Sequence, residues 1–124
     1  RITVKRYWVN ADGTRNFDAA ASQIGIVTKD PANWIVDDSD EYGEVVYFYY
    51  KLPLAAGEQT TNAMDELVLL SDAASAGNAY TNLSARMDFE VDAIQTTAAA
   101  AAIKAEWGMV ATFSGTTLTA ISAQ

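Results

Sequence analysis

Three carboxylates near residue 90 recur at every second position: Asp88, Glu90 and Asp92. In an extended strand such residues share one face, and neighbours along that face stand about 7 Å apart. Inverting glycoside hydrolases hold their acid and base at a similar separation, so this pattern could hydrolyse a glycoside if it flanked a cleft. Because any strand with one face in water shows the same pattern, we rank a hydrolase last among the hypotheses.

The chain contains no histidine and no cysteine among its 124 residues. Ser-His-Asp and Cys-His nucleophilic sites, HExxH zinc sites and disulfides are therefore excluded. Carboxylates alone still permit some acid–base chemistry, so these absences lower the prior for an enzyme without removing it. The sequence predicts a protein that is not an enzyme, with no catalytic residue and no cofactor.

Residues 37–44 (DDSDEYGE) are rich in carboxylates and could bind Ca²⁺, which prefers oxygen ligands. If Asp38 takes the first position of an EF-hand loop, Gly43 falls at the glycine position, but Tyr49 stands where a glutamate is needed. We favour a solvated hairpin turn between two strands, and we assign no metal ligand.

The aromatic run Tyr47-Phe48-Tyr49-Tyr50 could present rings to a glycan or a protein partner. The favoured interpretation is a packed central strand whose hydroxyls form hydrogen bonds at its rim. Asn82-Leu83-Ser84 matches the N-glycosylation acceptor pattern, but such triplets often arise by chance and we treat this one as incidental.

The chain carries 16 acidic and 8 basic residues, a net charge of −8. Binding to nucleic acid or to an anionic membrane is disfavoured, because both need clustered cations. No run approaches about 18 apolar residues, so no membrane insertion is expected. With 50% hydrophobic residues, the chain can build a core, and its length predicts a single domain over residues 1–124.

Short strands separated by turn signals must position these groups. Residues 85–95 alternate, and we expect Met87, Phe89, Val91 and Ala93 on a buried face opposite the carboxylates. Residues 97–107 predict an Ala-rich helix that ends at Gly108. Loops are expected at 14–22 and 71–80, and the predicted strands are 2–9, 22–28, 34–36, 44–51, 62–70, 85–95, 109–113 and 116–122. The predicted fold class is mainly β: a jelly-roll-like two-sheet sandwich with one short helix.

Three segments taken in order resemble the TasA/camelysin family of exported proteins from Gram-positive bacteria. They are residues 2–13 (ITVKRYWVNADG), 47–64 (YFYYKLPLAAGEQTTNAM) and 89–108 (FEVDAIQTTAAAAAIKAEWG). The resemblance covers most of the chain. It implies a secreted jelly-roll domain in extracellular, biofilm-matrix or cell-surface fibres, where an N-terminal donor strand of one subunit completes the sheet of the next.

Two features of the family bear on this chain. Family members usually carry sequence before the stretch that matches residues 2–8, and this chain starts at Arg1 inside a predicted strand. We therefore expect that the domain lacks an upstream N-terminal segment, and the sequence does not identify the donor strand. Camelysin-like proteins have been labelled metallopeptidases, but without histidine no zinc ligand carries over to this sequence.

The leading hypothesis is a structural subunit that pairs with copies of itself through donated strands, because an open sheet edge templates another chain. Pairing of this head-to-tail kind makes an open filament unless rotation closes a ring. The alternative is a monomeric secreted surface domain that binds a glycan or a host protein through exposed tyrosines.

Overall fold

The eight-residue strand β1 (Ile2–Val9) organises the main sheet. The computed structural model describes residues 1–70, 77 and 79–124. On one edge β1 pairs antiparallel, along its whole length, with β7 (Ser84–Val91). These two strands have the most extensive contact in the molecule, because all eight residues of each take part in the ladder.

The other edge of β1 is shared by two strands. Residues 2–5 of β1 pair with β5 (Val45–Tyr50), and Trp8 and Val9 pair with the two-residue strand β2 (Arg15–Asn16). Beyond β5 lies β4 (Trp34–Asp37). The central position predicted for the aromatic strand is confirmed, and β7 and β4 form the two edges of the sheet.

A second layer consists of β3 (Ile24–Thr28) paired antiparallel with β6 (Met64–Leu69). Ile26 and Met64 of this layer pack against a buried cluster at the centre of the core. That cluster comprises Val4, Trp34, Val46, Phe48 and Ala63. With 44% of residues in strands and 10% in helix, the chain is a mainly β sandwich, as predicted.

The C-terminal part forms one helix and one hairpin. Helix α1 (Ala99–Trp107) begins two residues later than predicted, because Ala98 takes a left-handed conformation with φ of 55°. It ends at Gly108, which is also left-handed, as the sequence indicates. Strands β8 (Met109–Ser114) and β9 (Thr117–Ala123) follow as a hairpin.

The remaining differences from prediction are local. The described residues form nine strands rather than seven or eight. Residues 14–22 contain β2 and the start of a 3-10 turn at Ala21–Gln23, and β7 ends at Val91 instead of continuing to residue 95. The loop predicted at 71–80 falls mostly outside the described residues. Across the part of the chain that is described, no helix is long and apolar enough to cross a membrane.

Candidate functional site: the open edge of β7

The apolar side chains of β7 extend the core-facing side of the main sheet. Phe89 lies opposite Val4 and Val91 opposite Ile2, and directly opposed residues of an antiparallel pair share one face. Val4 is 0% exposed, whereas Phe89 is 57% exposed and Val91 75%. The sequence assigned these residues to the correct face, but the prediction that they are buried is wrong, because the second layer does not cover them.

The second layer has a matching exposed surface. Leu67 and Leu69 of β6 lie opposite Ile26 and Ile24 of β3, which contact or belong to the buried interior. Both leucines are nonetheless more than half exposed. Each layer of the sandwich therefore leaves part of its core-facing side in water.

Hydrogen bonding shows which backbone groups of β7 are unpaired. The Asp92 N–H donates to the Arg1 carbonyl at 2.9 Å, which continues the β1–β7 register by one residue. Because inward and outward groups alternate along an antiparallel ladder, Asp88 and Glu90 also point their N–H groups at β1. Met87, Phe89 and Val91 then direct theirs to the opposite side, where β7 has no partner strand among the described residues.

The three alternating carboxylates do not share a single environment. Asp88 accepts a hydrogen bond from the Tyr7 hydroxyl at 3.2 Å. Asp92 lies just beyond the end of β7 and binds the Arg1 guanidinium through Nε at 3.1 Å and Nη2 at 2.7 Å. Within the described ranges, no three acidic residues gather in a group that could hold a metal ion.

The acidic segment 37–44 connects β4 to β5, the place the hairpin interpretation gave it. Its carboxylates serve the local structure. Asp37 accepts hydrogen bonds from the backbone N–H and hydroxyl of Ser39, and Asp40 accepts the Glu44 N–H at 2.9 Å. Asp38 pairs with Arg6 at 2.5 Å. These contacts connect the carboxylates of Asp37, Asp38 and Asp40 to donors of the protein itself.

Arg6 is a structural residue that the sequence analysis missed. It is 2% exposed, and its guanidinium donates to the carbonyls of Gly43 at 2.6 Å and Ile24 at 2.9 Å. Together with Asp38, these bonds join β1 to the acidic turn and to the start of β3. The signal was present in the alternation of β1, where Arg6 takes a position on the same side as Val4 and Trp8.

The tyrosine run is more covered than a free binding platform would be. Tyr49 is 2% exposed; its ring stacks on Tyr47 at 6.1 Å and contacts Trp107 of α1 at 5.8 Å. Burial raises the pKa of the Tyr49 phenol. The Arg1 guanidinium lies 4.6 Å from the centre of the Trp107 ring and 5.3 Å from that of Tyr47. Helix α1 therefore covers part of the outer face of β5.

Asn82 of the glycosylation triplet is exposed and adopts a left-handed conformation with φ of 63° just before β7. The triplet therefore begins on a surface turn.

Comparison with known proteins gives no match: no family model, no curated protein and no solved structure matches this chain. Its function therefore has to be inferred from its own residues and geometry.

Proposed function

We propose that this protein is a structural subunit of a secreted, extracellular or cell-surface fibre, in which a strand from one copy pairs with the open edge of β7 in the next. The observation that carries the proposal is the coincidence, on one strand, of an unpaired backbone edge and exposed core-facing side chains. The resemblance of residues 2–13, 47–64 and 89–108 to matrix-fibre proteins supports the same function.

An added strand would pair the free backbone groups of β7 and cover its exposed apolar side chains at the same time. Met87, Phe89 and Val91 each offer an N–H and a C=O to a partner, and each hydrogen bond formed contributes about 0.5–1.5 kcal/mol. Inward-facing residues of the added strand would cover Phe89 and Val91, and full burial of such side chains contributes about 1.5–3 kcal/mol each. Leu67 and Leu69 offer further apolar surface on the facing layer.

Geometry also favours continued growth over a closed pair. The edge of β7 and the strand that fills it are different surfaces of the molecule, so the contact is heterologous. A heterologous contact leaves one free edge at the end of each assembly. Repetition then gives a filament unless the rotation between copies closes a ring.

The chemistry of the incoming strand follows from how β7 already pairs with β1. Across that ladder Val91 and Phe89 face apolar Ile2 and Val4, while Glu90 and Asp88 face Thr3 and Lys5. The open side of β7 presents the same two faces. The donated strand should therefore alternate apolar residues with Thr or Lys, so that hydroxyls and ammonium groups meet the carboxylates.

Electron microscopy and light scattering of the purified full-length mature protein test this function. Filaments are expected, and monomers alone across a range of salt and pH would contradict it. Val91→Pro removes an edge-facing N–H while leaving every β1–β7 hydrogen bond in place, because proline is tolerated on the free side of an edge strand.

Val91→Ala is the matched control, since it also removes the isopropyl group but keeps the N–H. We expect Val91→Pro to stop filament growth and Val91→Ala only to slow it. Equal growth of the two variants would contradict pairing at this edge. Circular dichroism and the unfolding midpoint of each monomer confirm that both variants fold.

A further inference from the structure

A second surface lies on the other face of the main sheet, away from the core. It is a groove of about 740 Å³ between β1, β7 and the loop after β1. Three of the eight basic side chains of the chain stand on this face and line it: Lys5, Arg15 and Arg86. This clustering is unexpected in a protein of net charge −8, because evenly spread basic residues would be outnumbered by acidic residues in every region of the surface.

One of these cations is already neutralised and two are not. Arg15 pairs with Glu44. Lys5 and Arg86 are exposed and form no ion pair with any residue that the structure describes. Because Lys5 lies opposite Asp88 and Arg86 lies opposite Tyr7 in the ladder, both cations stand on the same face of adjacent strands.

Aromatic rings and hydrogen-bonding groups accompany the charges. The Arg15 guanidinium lies 5.0 Å from the ring centre of Tyr7 and 4.9 Å from that of Phe17. Phe17 does not line the groove itself but adjoins it through Arg15, and it is 79% exposed, so most of its ring is available to a ligand that extends from the groove. The Tyr7 hydroxyl donates to the Asp88 carboxylate at 3.2 Å, and the remaining lone pairs of both groups are acceptors inside the groove.

We propose that this groove binds an acidic glycan. A sugar carboxylate would pair with Arg86 and Lys5, since hydrogen bonds between charged groups are the stronger ones. Neighbouring sugar hydroxyls would donate to Asp88, and the apolar face of a ring would stack on Phe17. The groove volume falls within the range of about 300–1,000 Å³ that is usual for small-ligand sites.

The carboxylates of the groove favour this ligand over a densely charged anion. Asp88 and Glu44 would repel a nucleic acid or a polyphosphate, in which every unit carries a charge and few hydroxyls donate. A sugar chain with one carboxylate per ring supplies donors that these acceptors can use. The groove shares the Asp88 carboxylate with the open side of β7, but its cations, Lys5 and Arg86, have no part in the fibre contact, so the two proposals can be tested separately.

Titration calorimetry with the full chain tests the site, using an oligomer of α-1,4-linked galacturonic acid as the probe. Its fully methyl-esterified form has the same backbone without charge and serves as the matched ligand. We expect the acidic oligomer to bind about tenfold or more tightly than the ester, and its affinity to fall as salt rises. A polyphosphate should bind more weakly than the acidic oligomer.

The variant Lys5→Gln/Arg86→Gln should lose about tenfold or more in affinity for the acidic oligomer. Lys104→Gln, which changes an exposed cation on α1, should leave the affinity unchanged. Phe17→Ala should lower the affinity for the acidic oligomer and for its ester to the same extent, because stacking on the ring does not depend on the charge of the sugar. Measuring all variants in the Val91→Pro background keeps the protein monomeric, so a failed fibre and a failed groove give separate results.

Four results would overturn the proposal. The first two are that the acidic oligomer does not bind at about 1 mM, or that it binds with the same affinity as its ester. The third is that polyphosphate binds more tightly than the acidic oligomer. The fourth is that the groove variant and Lys104→Gln lose the same amount of affinity for the acidic oligomer. If Lys5→Gln/Arg86→Gln, made in the original chain without Val91→Pro, abolishes filaments while no glycan binds, the groove is instead a contact between copies of the chain.

Discussion

Val4 and Phe89 lie directly opposite each other in the β1–β7 ladder and on the same face of the sheet, yet only Val4 is buried. The core-facing side of the sheet therefore extends one strand farther than the layer that covers it. A soluble protein rarely leaves a contiguous apolar surface without a use. Here the uncovered strand also has a free backbone edge.

Replacing Phe89 with Thr should weaken self-association without unfolding the domain. Thr keeps the preference for extended structure, and the Phe89 ring is already largely in water, so the free energy of unfolding should change by less than about 1 kcal/mol. Association should weaken by about 10- to 100-fold if the ring is buried between copies. Sedimentation and chemical denaturation measure the two quantities separately.

Val110→Thr is the control for this prediction, because Val110 is also an exposed apolar residue on a strand, but on the C-terminal hairpin. It should leave association unchanged. If Phe89→Thr and Val110→Thr affect association equally, apolar surface in general drives it and β7 has no special role.

The alternation of residues 85–91 predicted the strand and its two faces, but it could not predict exposure. Periodicity reports which side chains share a face, whereas burial depends on what the rest of the chain places opposite that face. The sequence could not predict the basic groove for a similar reason. Lys5 and Arg86 come together only through pairing of strands 80 residues apart, which neither segment signals alone.

The carboxylates of β7 should make filament growth respond to salt in a specific way. The net charge of −8 repels neighbouring copies, so salt should speed growth by screening that repulsion. If the donated strand presents Lys to Asp88 and Glu90, salt also weakens an attraction, and the two effects partly cancel. The variant Asp88→Asn/Glu90→Gln loses the attraction to the donated strand, and only the repulsion between negatively charged copies remains. Its growth rate should therefore rise more steeply with salt than that of the original chain.

Light scattering at several salt concentrations gives these growth rates. Asp65→Asn/Glu66→Gln on β6 removes the same charge and is the matched control, which should keep the shallow salt dependence of the original chain. If the growth rate of Asp88→Asn/Glu90→Gln depends on salt in the same way as that of Asp65→Asn/Glu66→Gln, the donated strand does not present cationic residues to β7.

Arg6 should be required for the stability of the sandwich. Arg6→Leu would leave the Gly43 and Ile24 carbonyls without their donor and remove the partner of Asp38. Loss of one member of a buried charged network costs about 3–5 kcal/mol. Asp38→Asn, at the exposed end of the same network, should cost only about 0–1 kcal/mol.

Urea denaturation of the two variants measures both costs. A loss below about 1 kcal/mol for Arg6→Leu would mean that water replaces the guanidinium at these carbonyls. The sequence predicted the strand that carries Arg6, but its burial depends on carbonyls 18 and 37 residues away.

Asp30 should contribute to stability in a pH-dependent manner. Hydrogen bonds from Thr61 and Asn33 lower the pKa of its carboxyl from the usual value of 3.8, and the Thr61 hydroxyl also accepts the indole N–H of buried Trp34 at 3.2 Å. Because the folded-state pKa is depressed, the contribution is complete above the unfolded pKa and is lost as pH falls through the folded one. Asp30→Asn should therefore be less stable than the original chain at about pH 6, and the difference should shrink by about pH 2.

Denaturant midpoints at both pH values test this for Asp30→Asn and for Asp18→Asn, an exposed acidic residue in the loop before β3. The Asp18 variant is the control, because it removes a carboxylate that accepts no hydrogen bond from any residue that the structure describes. Suppose that the stability difference between Asp30→Asn and the original chain stays constant from about pH 6 to about pH 2. The asparagine would then destabilise the fold because its amide does not fit the site, and not because the negative charge is lost. The link from Asp30 through Thr61 to Trp34 would then be steric, and acid would unfold the domain through other carboxylates.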